Sequence, residues 1–229
     1  MSDPIYLCLF VTGKCNLNCP HCNQKYVMDG LGEYEISLEE LDHIIASCQE
    51  RNIHFHTIEF TGGEPSKWSH LEEGLKRLKD SGIADHLTLI TNGNDAQRVS
   101  SLATEYCDWY FVSVPQATPR QIAIHRMRGL MPCWNPEVHH PVPTSPHEDC
   151  VPAECVMQHT RQGVDVCHLM YIQGRVYYCC MASALEHLVE DPPLSYSFDD
   201  DFITPFSNRK FNQSICAFCL CNPKVWSET

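Results

Sequence analysis

Residues 5–22 read IYLCLFVTGKCNLNCPHC. The apolar run from Ile5 to Val11 predicts a strand, and a loop with three cysteines follows it directly. Cys15, Cys19 and Cys22 stand at spacing C-x3-C-x2-C, with Pro20 and His21 between the last two. Such thiols could form a disulfide, bind zinc, or serve a centre that needs three ligands. A zinc knuckle asks for two close ligands and two more elsewhere. Three clustered thiolates can instead hold three irons of a [4Fe–4S] cube and leave the fourth iron open to a small molecule. His21 adjoins Cys22, so its ring would reach the same metal only with strain. These residues favour the cluster and leave zinc open.

Outward from this loop, strands and helices alternate. Ser37-Leu38-Glu39-Glu40 matches a capping box, and Leu38, Leu41, Ile45 and Cys48 recur at helical spacing. His56–Phe60 reads as a strand. Ser69-His70-Leu71-Glu72 predicts another cap, Leu71, Leu75 and Leu78 share a face, and Gly82 stops that helix. His86–Thr91 is a third strand, and a helix over Asp95–Tyr106 turns Val99 and Leu102 inward. Trp109–Val114 is a fourth strand, and Arg120–Arg128 a further helix. This order predicts an α/β fold, a parallel sheet with helices packed outside it. Right-handed crossovers put the end of every such strand on one rim, where the chemistry of these folds sits. The cysteine loop, Gly62-Gly63-Glu64 and Thr91-Asn92-Gly93 therefore converge.

Beyond residue 129 the period breaks. MPCWNPEVHHPVPTSPHEDCVPAEC (131–155) is rich in Pro and His and reads as a long irregular connection. In CHLMYIQGRVYYCC (167–180), two apolar runs flank Gln173-Gly174, a hairpin turn. CAFCLC closes the pattern at 216–221. The expected organisation is a core over 1–160 and a small cysteine-rich appendage over 161–229.

The 229 residues include 43% hydrophobic ones, enough for one domain with or without such an appendage. Sixteen basic residues against 29 acidic ones, a net charge of −13, argue against a nucleic-acid partner. No apolar run reaches membrane-spanning length, and the N-terminal stretch lacks signal-peptide features. A cytoplasmic location is expected. Fifteen cysteines, an odd number without a secretion signal, point to metal ligation more than to a disulfide framework. Cys8 and Cys48 sit in apolar patterns and read as small buried hydrophobes. Asp199-Asp200-Asp201 reads as wet surface.

Thr61-Gly62-Gly63-Glu64-Pro65 joins a tight turn to a carboxylate. The glycines permit close backbone approach, and Glu64 can accept hydrogen bonds from an ammonium group. Ser113, at a strand end, can meet a sugar hydroxyl or be an ordinary strand-end serine. Together, C-x3-C-x2-C, GGEP and TNG over residues 5–114 resemble the radical SAM superfamily. The resemblance implies a truncated (β/α) partial TIM barrel. It implies that Cys15, Cys19 and Cys22 hold a [4Fe–4S] cluster whose open iron binds S-adenosylmethionine (SAM). Gly62, Gly63 and Glu64 match the motif that holds the methionine amino group. His21 stands where the family usually has an aromatic residue, and its neighbouring backbone is placed to meet the adenine. Asn23 and Asn92 are counted with these cofactor contacts, and Ser113 is placed like the ribose contact. The chemistry implied is reductive cleavage of SAM to a 5′-deoxyadenosyl radical that takes a hydrogen atom from a substrate carbon, fed by a flavodoxin- or ferredoxin-type electron donor.

Cys167-x6-Gly174-x4-Cys179, with Cys216-x2-Cys219 downstream, resembles the auxiliary-cluster region called Twitch, related to the SPASM type. It would supply Cys167, Cys179, Cys216 and Cys219 to a second [4Fe–4S] cluster, with Cys180 and Cys221 as rivals. The same four thiolates suit a structural zinc, and a zinc-binding interaction module is the non-enzymatic alternative. Cys133, Cys150 and Cys155 are candidate hydrogen donors, whereas Cys107 reads as a bystander and His139, His140, His147 and His159 as solvated loop residues. Oxidation through the second cluster, by dehydrogenation or peptide cross-linking, is the expected outcome. Epimerisation with a cysteine donor is the alternative. The chain length leaves no room for a leader-binding domain, which favours a compact substrate or a peptide recognised through a partner protein.

Overall fold

Side chains alternate along a strand, so one sequence can furnish two faces. β1 (Ile5–Phe10) turns Leu7 and Leu9 to one side and Cys8 and Phe10 to the other. The first pair enters the main core with residues from the helices, and the second pair faces away from them. The computed structural model describes residues 5–18, 22, 24–93, 95–113, 132–133, 167–177, 182–183 and 195–204.

α1 (Lys25–Leu31) follows the cysteine loop. It was not expected: seven residues with a glycine inside and no side-chain cap carry little helical signal. α2 (Leu38–Glu50) starts as its sequence predicts, with Ser37 Oγ accepting from the Glu40 N–H at 3.0 Å. Its fully buried positions are Leu41, Ile44 and Cys48, with Leu38 and Ile45 packed at the margin. The stripe is rotated slightly from the expected one.

β2 (Phe55–Thr61), a short 3-10 turn (Pro65–Lys67), α3 (Leu71–Ser81), β3 (Ala84–Thr91), α4 (Ala96–Tyr106) and β4 (Trp109–Ser113) continue the alternation. Gly82 ends α3 at φ +66°, a left-handed stop. The expected cap at Ser69 is corrected. The cap position is His70, without a side-chain bond, and Ser69 donates its N–H and hydroxyl to the Glu35 carboxylate at 2.9 and 3.0 Å. A carboxylate outcompetes the local cap because its hydrogen bonds are charge-assisted.

The order of described strands is β5-β4-β3-β2-β1-β6-β7-β8. β5 is Pro132–Cys133, β6 Cys167–Ile172, β7 Arg175–Tyr177 and β8 Ser195–Ser197. β1 through β6 pair in parallel, and β6-β7-β8 are antiparallel. This is the expected mixed fold with a parallel-dominated sheet. Gln173 (φ 46°) and Gly174 (φ 75°) make the two-residue hairpin turn. β8 was not foreseen, since Ser-Tyr-Ser has no apolar run.

The C-terminal strands do not stand apart from the rest. β6 pairs along β1 from Ile5↔Cys167 to Leu9↔Tyr171. Tyr171, Val176, Phe198 and Phe202 enter the same core as α2 and α3. Glu40 accepts hydrogen bonds from the hydroxyls of Tyr34 (3.1 Å) and Tyr171 (2.7 Å). Burial first, and then Glu40, raises the pKa of both phenols above the usual range. Arg51 donates to the carbonyls of Phe198 and Asp200, each at 2.6 Å, and lies over the Phe202 ring. The aspartate run is exposed, with Asp199 bonded to His43 at 2.6 Å.

Trp68 is fully buried and donates its indole N–H to the Ile36 carbonyl at 2.8 Å. A methyl at Gly74 would overlap its ring. Gly74→Ala is therefore expected to destabilise the chain by about 1–3 kcal/mol through overpacking, against the ~1 kcal/mol that alanine would gain in an open helix. Urea denaturation checks the sign. Cys48 and Cys107 test burial in another way. Burial pushes the Cys48 thiol up to about 12, and burial together with Asp108 does the same to Cys107. On the order of one molecule in ten thousand is then thiolate at pH 8. Iodoacetamide should leave both unmodified in native protein by peptide mass spectrometry, and rapid labelling would contradict this. Among the described residues no helix is long and apolar enough to cross a membrane.

Candidate active site

The ends of β1, β2 and β3 bring three loops to one rim. Gly63 N–H donates to the Thr12 carbonyl and Glu64 N–H to the Lys14 carbonyl, each at 2.8 Å. The backbone of the GGE stretch is thus laced to the start of the cysteine loop. That contact explains the glycines. Gly62 has φ +148°, and a methyl there would lie 2.6 Å from the Thr12 oxygen. A methyl at Gly63 would overlap the Lys14 carbonyl. The close approach expected of these glycines is made to the chain's own loop.

Glu64 is fully buried. Its Oε1 accepts from Ser66 N–H (3.0 Å) and from the Thr91 hydroxyl (2.6 Å), and its Oε2 accepts from Asn92 N–H (2.7 Å). The carboxylate therefore ties the loop after β2 to the loop after β3. Thr91 Oγ1 also accepts from Gly93 N–H at 3.1 Å. Asn92 then reaches the cysteine loop, its Nδ2 standing 3.0 Å from Asn16 Oδ1 and 3.9 Å from Cys15 Sγ. Leu17 N–H points at the same sulfur from 3.4 Å. Cys15 and Cys22 are half-buried. A sulfur that receives N–H donors suits a thiolate ligand, since hydrogen bonds to sulfur tune such centres. The donor set thus fits an iron–sulfur cluster at this loop.

Cys19, His21 and Asn23 lie outside the described residues, as do Cys150, Cys155, Cys179, Cys180, Cys216, Cys219 and Cys221. Among the described residues no group of three or more His, Cys, Asp or Glu is placed to hold a metal. Ser113 ends β4 at the rim, and its Cα partner across the sheet is Cys133 in β5. Cys133, expected in an irregular segment, stands in a short strand. Cys167 opens β6 opposite Ile5, at the far end of β1 from the rim. Five residues of strand, about 16 Å, separate that level from Phe10.

Several members of this constellation escaped the sequence. Thr12 is fully buried, accepts from Lys14 N–H at 3.1 Å and donates to the Tyr34 carbonyl at 3.2 Å, so it shapes the turn before Cys15. Asn16 bonds Asn92. A Thr-Gly pair just before the first cysteine is the signal that could have found Thr12. Glu59 is a buried carboxylate inside an apolar strand, itself an informative pattern. Cys8 was expected to be only a small hydrophobe. It is buried, and its thiol donates to Glu59 Oε2 at 3.1 Å.

The sequence pattern described as "Radical SAM superfamily" matches residues 9–135. The chain belongs to this superfamily. Radical SAM enzymes carry a [4Fe–4S] cluster and use SAM. Among curated relatives, the 7,8-dihydro-6-hydroxymethylpterin dimethyltransferase of Methanocaldococcus jannaschii is 35% identical over 92 residues, 40% of this chain and 18% of that protein. The GTP 3′,8-cyclase of Mesorhizobium japonicum is 33% identical over 109 residues, 44% of this chain and 32% of that protein. The chain thus matches a third or less of the length of these relatives. Among solved structures, BtrN in complex with AdoMet and 2-DOIA aligns with a TM-score of 0.57 at 11% identity, over 92% of this chain and 85% of that one. Streptococcus suis SuiB bound to precursor peptide SuiA aligns with a TM-score of 0.51 at 12% identity, over 96% and 70%. At these identities the likeness is one of fold.

Proposed function

We propose that this radical SAM enzyme abstracts a hydrogen atom from a carbon of a small molecule or peptide and then oxidises the resulting radical. One observation carries the reading. Cys15 Sγ, Asn92 and the Glu64 carboxylate form one chain of contacts across the rim, joining the cysteine, TNG and GGE motifs. Cys15, Cys19 and Cys22 would hold the cluster, which supplies the electron that cleaves SAM to methionine and a 5′-deoxyadenosyl radical. Gly62, Gly63 and Glu64 would position the methionine amino group. Because Glu64 already accepts three hydrogen bonds from the chain, it acts chiefly by fixing the rim, and the motif's backbone meets the ligand. His21, Asn23, Asn92 and Ser113 would line the remainder of the SAM site.

Cys167, Cys179, Cys216 and Cys219 would hold a second cluster, with Cys180 and Cys221 as rivals, and its chemistry would be acceptance of one electron. The position of Cys167 at the opposite end of β1 from the rim supports two separate centres on one sheet. Residues 1–160 would then form the SAM-cleaving part and 161–229 the auxiliary part. The likeness to the BtrN fold and to SuiB with its SuiA peptide is compatible with either a small-molecule or a peptide substrate. A flavodoxin- or ferredoxin-type protein would deliver electrons.

Anaerobic reconstitution followed by dithionite and SAM tests this reading. Release of 5′-deoxyadenosine is expected, with about seven to eight irons per chain for two four-iron cubes. About four irons would remove the second cluster, and zinc without labile sulfide would overturn the reading altogether. With substrate in hand, a product two hydrogens lighter supports oxidation. One deuterium gained in heavy water would assign epimerisation instead, with Cys133, Cys150 and Cys155 as candidate donors.

A further inference from the structure

The turn that delivers Cys15 is held from two sides. Gly63 N–H reaches it from the GGE loop, at the Thr12 carbonyl. On the other side residues 34–36 run antiparallel to residues 11–13. Gly13 N–H donates to the Tyr34 carbonyl at 2.8 Å, and Ile36 N–H to the Val11 carbonyl at 3.0 Å. The Thr12 hydroxyl donates to the same Tyr34 carbonyl at 3.2 Å and accepts from Lys14 N–H at 3.1 Å. The Tyr34 carbonyl therefore shapes the turn that ends at the first cysteine.

The Tyr34 side chain is fixed by a distant part of the sequence. Its hydroxyl donates to Glu40 Oε1 at 3.1 Å, and the Tyr171 hydroxyl, 131 residues from Glu40, donates to the same oxygen at 2.7 Å. Tyr171 belongs to β6, and the Gln173-Gly174 turn follows that strand directly. The backbone of Gln173 addresses the Tyr34 hydroxyl, and that of Gly174 the Tyr171 hydroxyl. Three segments thus meet at one carboxylate oxygen: the strip beside the cysteine loop, the first turn of α2 and the β6–β7 hairpin. The residue types matter. Tyr171 is 1% exposed, and two phenylalanines would bury as much ring without drawing a carboxylate out of water. A polar trio supplies direction instead, because a hydroxyl must point at its acceptor. Burial, and then Glu40, keeps both phenols protonated, so both remain donors at physiological pH.

We propose that Tyr34, Glu40 and Tyr171 form a clasp through which the β6–β7 hairpin sets the cysteine loop for SAM, with Glu40 as its positioning residue. This rests on the SAM site lying at the rim, as proposed above. The three residues act through the Tyr34 carbonyl and the Thr12-Gly13-Lys14 turn. Groups that orient the ligands of a metal centre govern how well that centre binds its own ligand. SAM binding near the start of the chain then depends on strands that begin at residue 167.

The test reads SAM affinity and needs no turnover. The reconstituted full chain, left unreduced, is titrated calorimetrically with SAM. Tyr171→Phe removes one hydroxyl from β6 and should weaken SAM binding roughly 5–10-fold, a modest coupling between distant positions. Glu40→Ala should weaken it at least as much. Glu40→Gln, whose amide oxygen can accept from both phenols, should stay within about threefold of wild type. In the Glu40→Ala background Tyr171→Phe should add nothing, since its acceptor is already gone. Cys48→Ala is the control for stability alone. It loses packing in the same core and should keep wild-type SAM affinity. Iron content reports whether each variant has assembled its cluster, and Tyr171→Phe with Glu40→Gln decides if Glu40→Ala has not. The proposal is overturned if Tyr171→Phe melts earlier yet binds SAM like wild type, or if the two substitutions add. Equal weakening in Cys48→Ala, or a Glu40→Gln as weak as Glu40→Ala, would also overturn it. A wild-type chain that binds no SAM is a different failure, that of the rim reading itself.

Discussion

Cys15→Ala is expected to abolish 5′-deoxyadenosine formation and to lower the iron content by about four per chain, the content of one cube. The reason lies in the rim. Leu17 N–H and Asn92 Nδ2 both address the Cys15 sulfur, so this thiol sits where a cluster iron would be held and tuned. A cube with two remaining thiolates would not persist, and Cys22→Ala should behave in the same way. Cys48→Ala supplies the contrast. Its sulfur is buried within the helix-packed core, so the variant should keep its iron and lose only about 1 kcal/mol of packing. Iron and sulfide analysis alongside product chromatography checks all three. Full iron content in Cys15→Ala would end the assignment of this loop.

Glu64→Ala should produce the second large effect, and it should appear first in stability. Removal of the carboxylate leaves Ser66 N–H, Asn92 N–H and the Thr91 hydroxyl without their acceptor at a position closed to solvent. Each orphaned donor costs about 1–3 kcal/mol, so a loss of about 3–5 kcal/mol is expected after partial relaxation. For a chain of this size that lowers Tm on the order of 10 °C. Glu64→Gln should lose less, about 1–3 kcal/mol, because the amide can turn its oxygen to Ser66 N–H and the Thr91 hydroxyl, leaving only Asn92 N–H facing an NH2. Calorimetry separates the two variants. If Glu64→Ala melts with wild type while SAM binding falls, the residue acts on the ligand and not on the rim.

Much of the architecture could be read from short-range pattern. The strand and helix alternation up to Trp109 is carried by periodicity, which depends only on neighbours in sequence. The Ser37 cap and the Gln173-Gly174 turn are likewise local. What escaped is tertiary. Ser69 carries the same Ser-x-x-Glu signature as Ser37, yet Glu35, 34 residues away, captures it. Glu64 reads as a free carboxylate beside a glycine turn, and only the fold shows that Thr91 and Asn92 already occupy it. The motifs revealed the site because they sit on loops after strands. The inner-face pair Cys8 and Glu59 stayed hidden because each looks, in one dimension, like an incidental residue in an apolar run.

The pairing of β1 with β6 sets a schedule for biosynthesis. β1 leaves the ribosome well before β6, so Ile5 must wait for Cys167 to close that side. At ordinary elongation rates of about 5–20 residues per second, the interval is about 10–30 s. Throughout it, Leu-Cys-Leu-Phe presents an open, apolar strand margin of the kind that invites pairing with other chains. A nascent chain arrested before residue 167 should therefore depend on chaperones far more than the finished one.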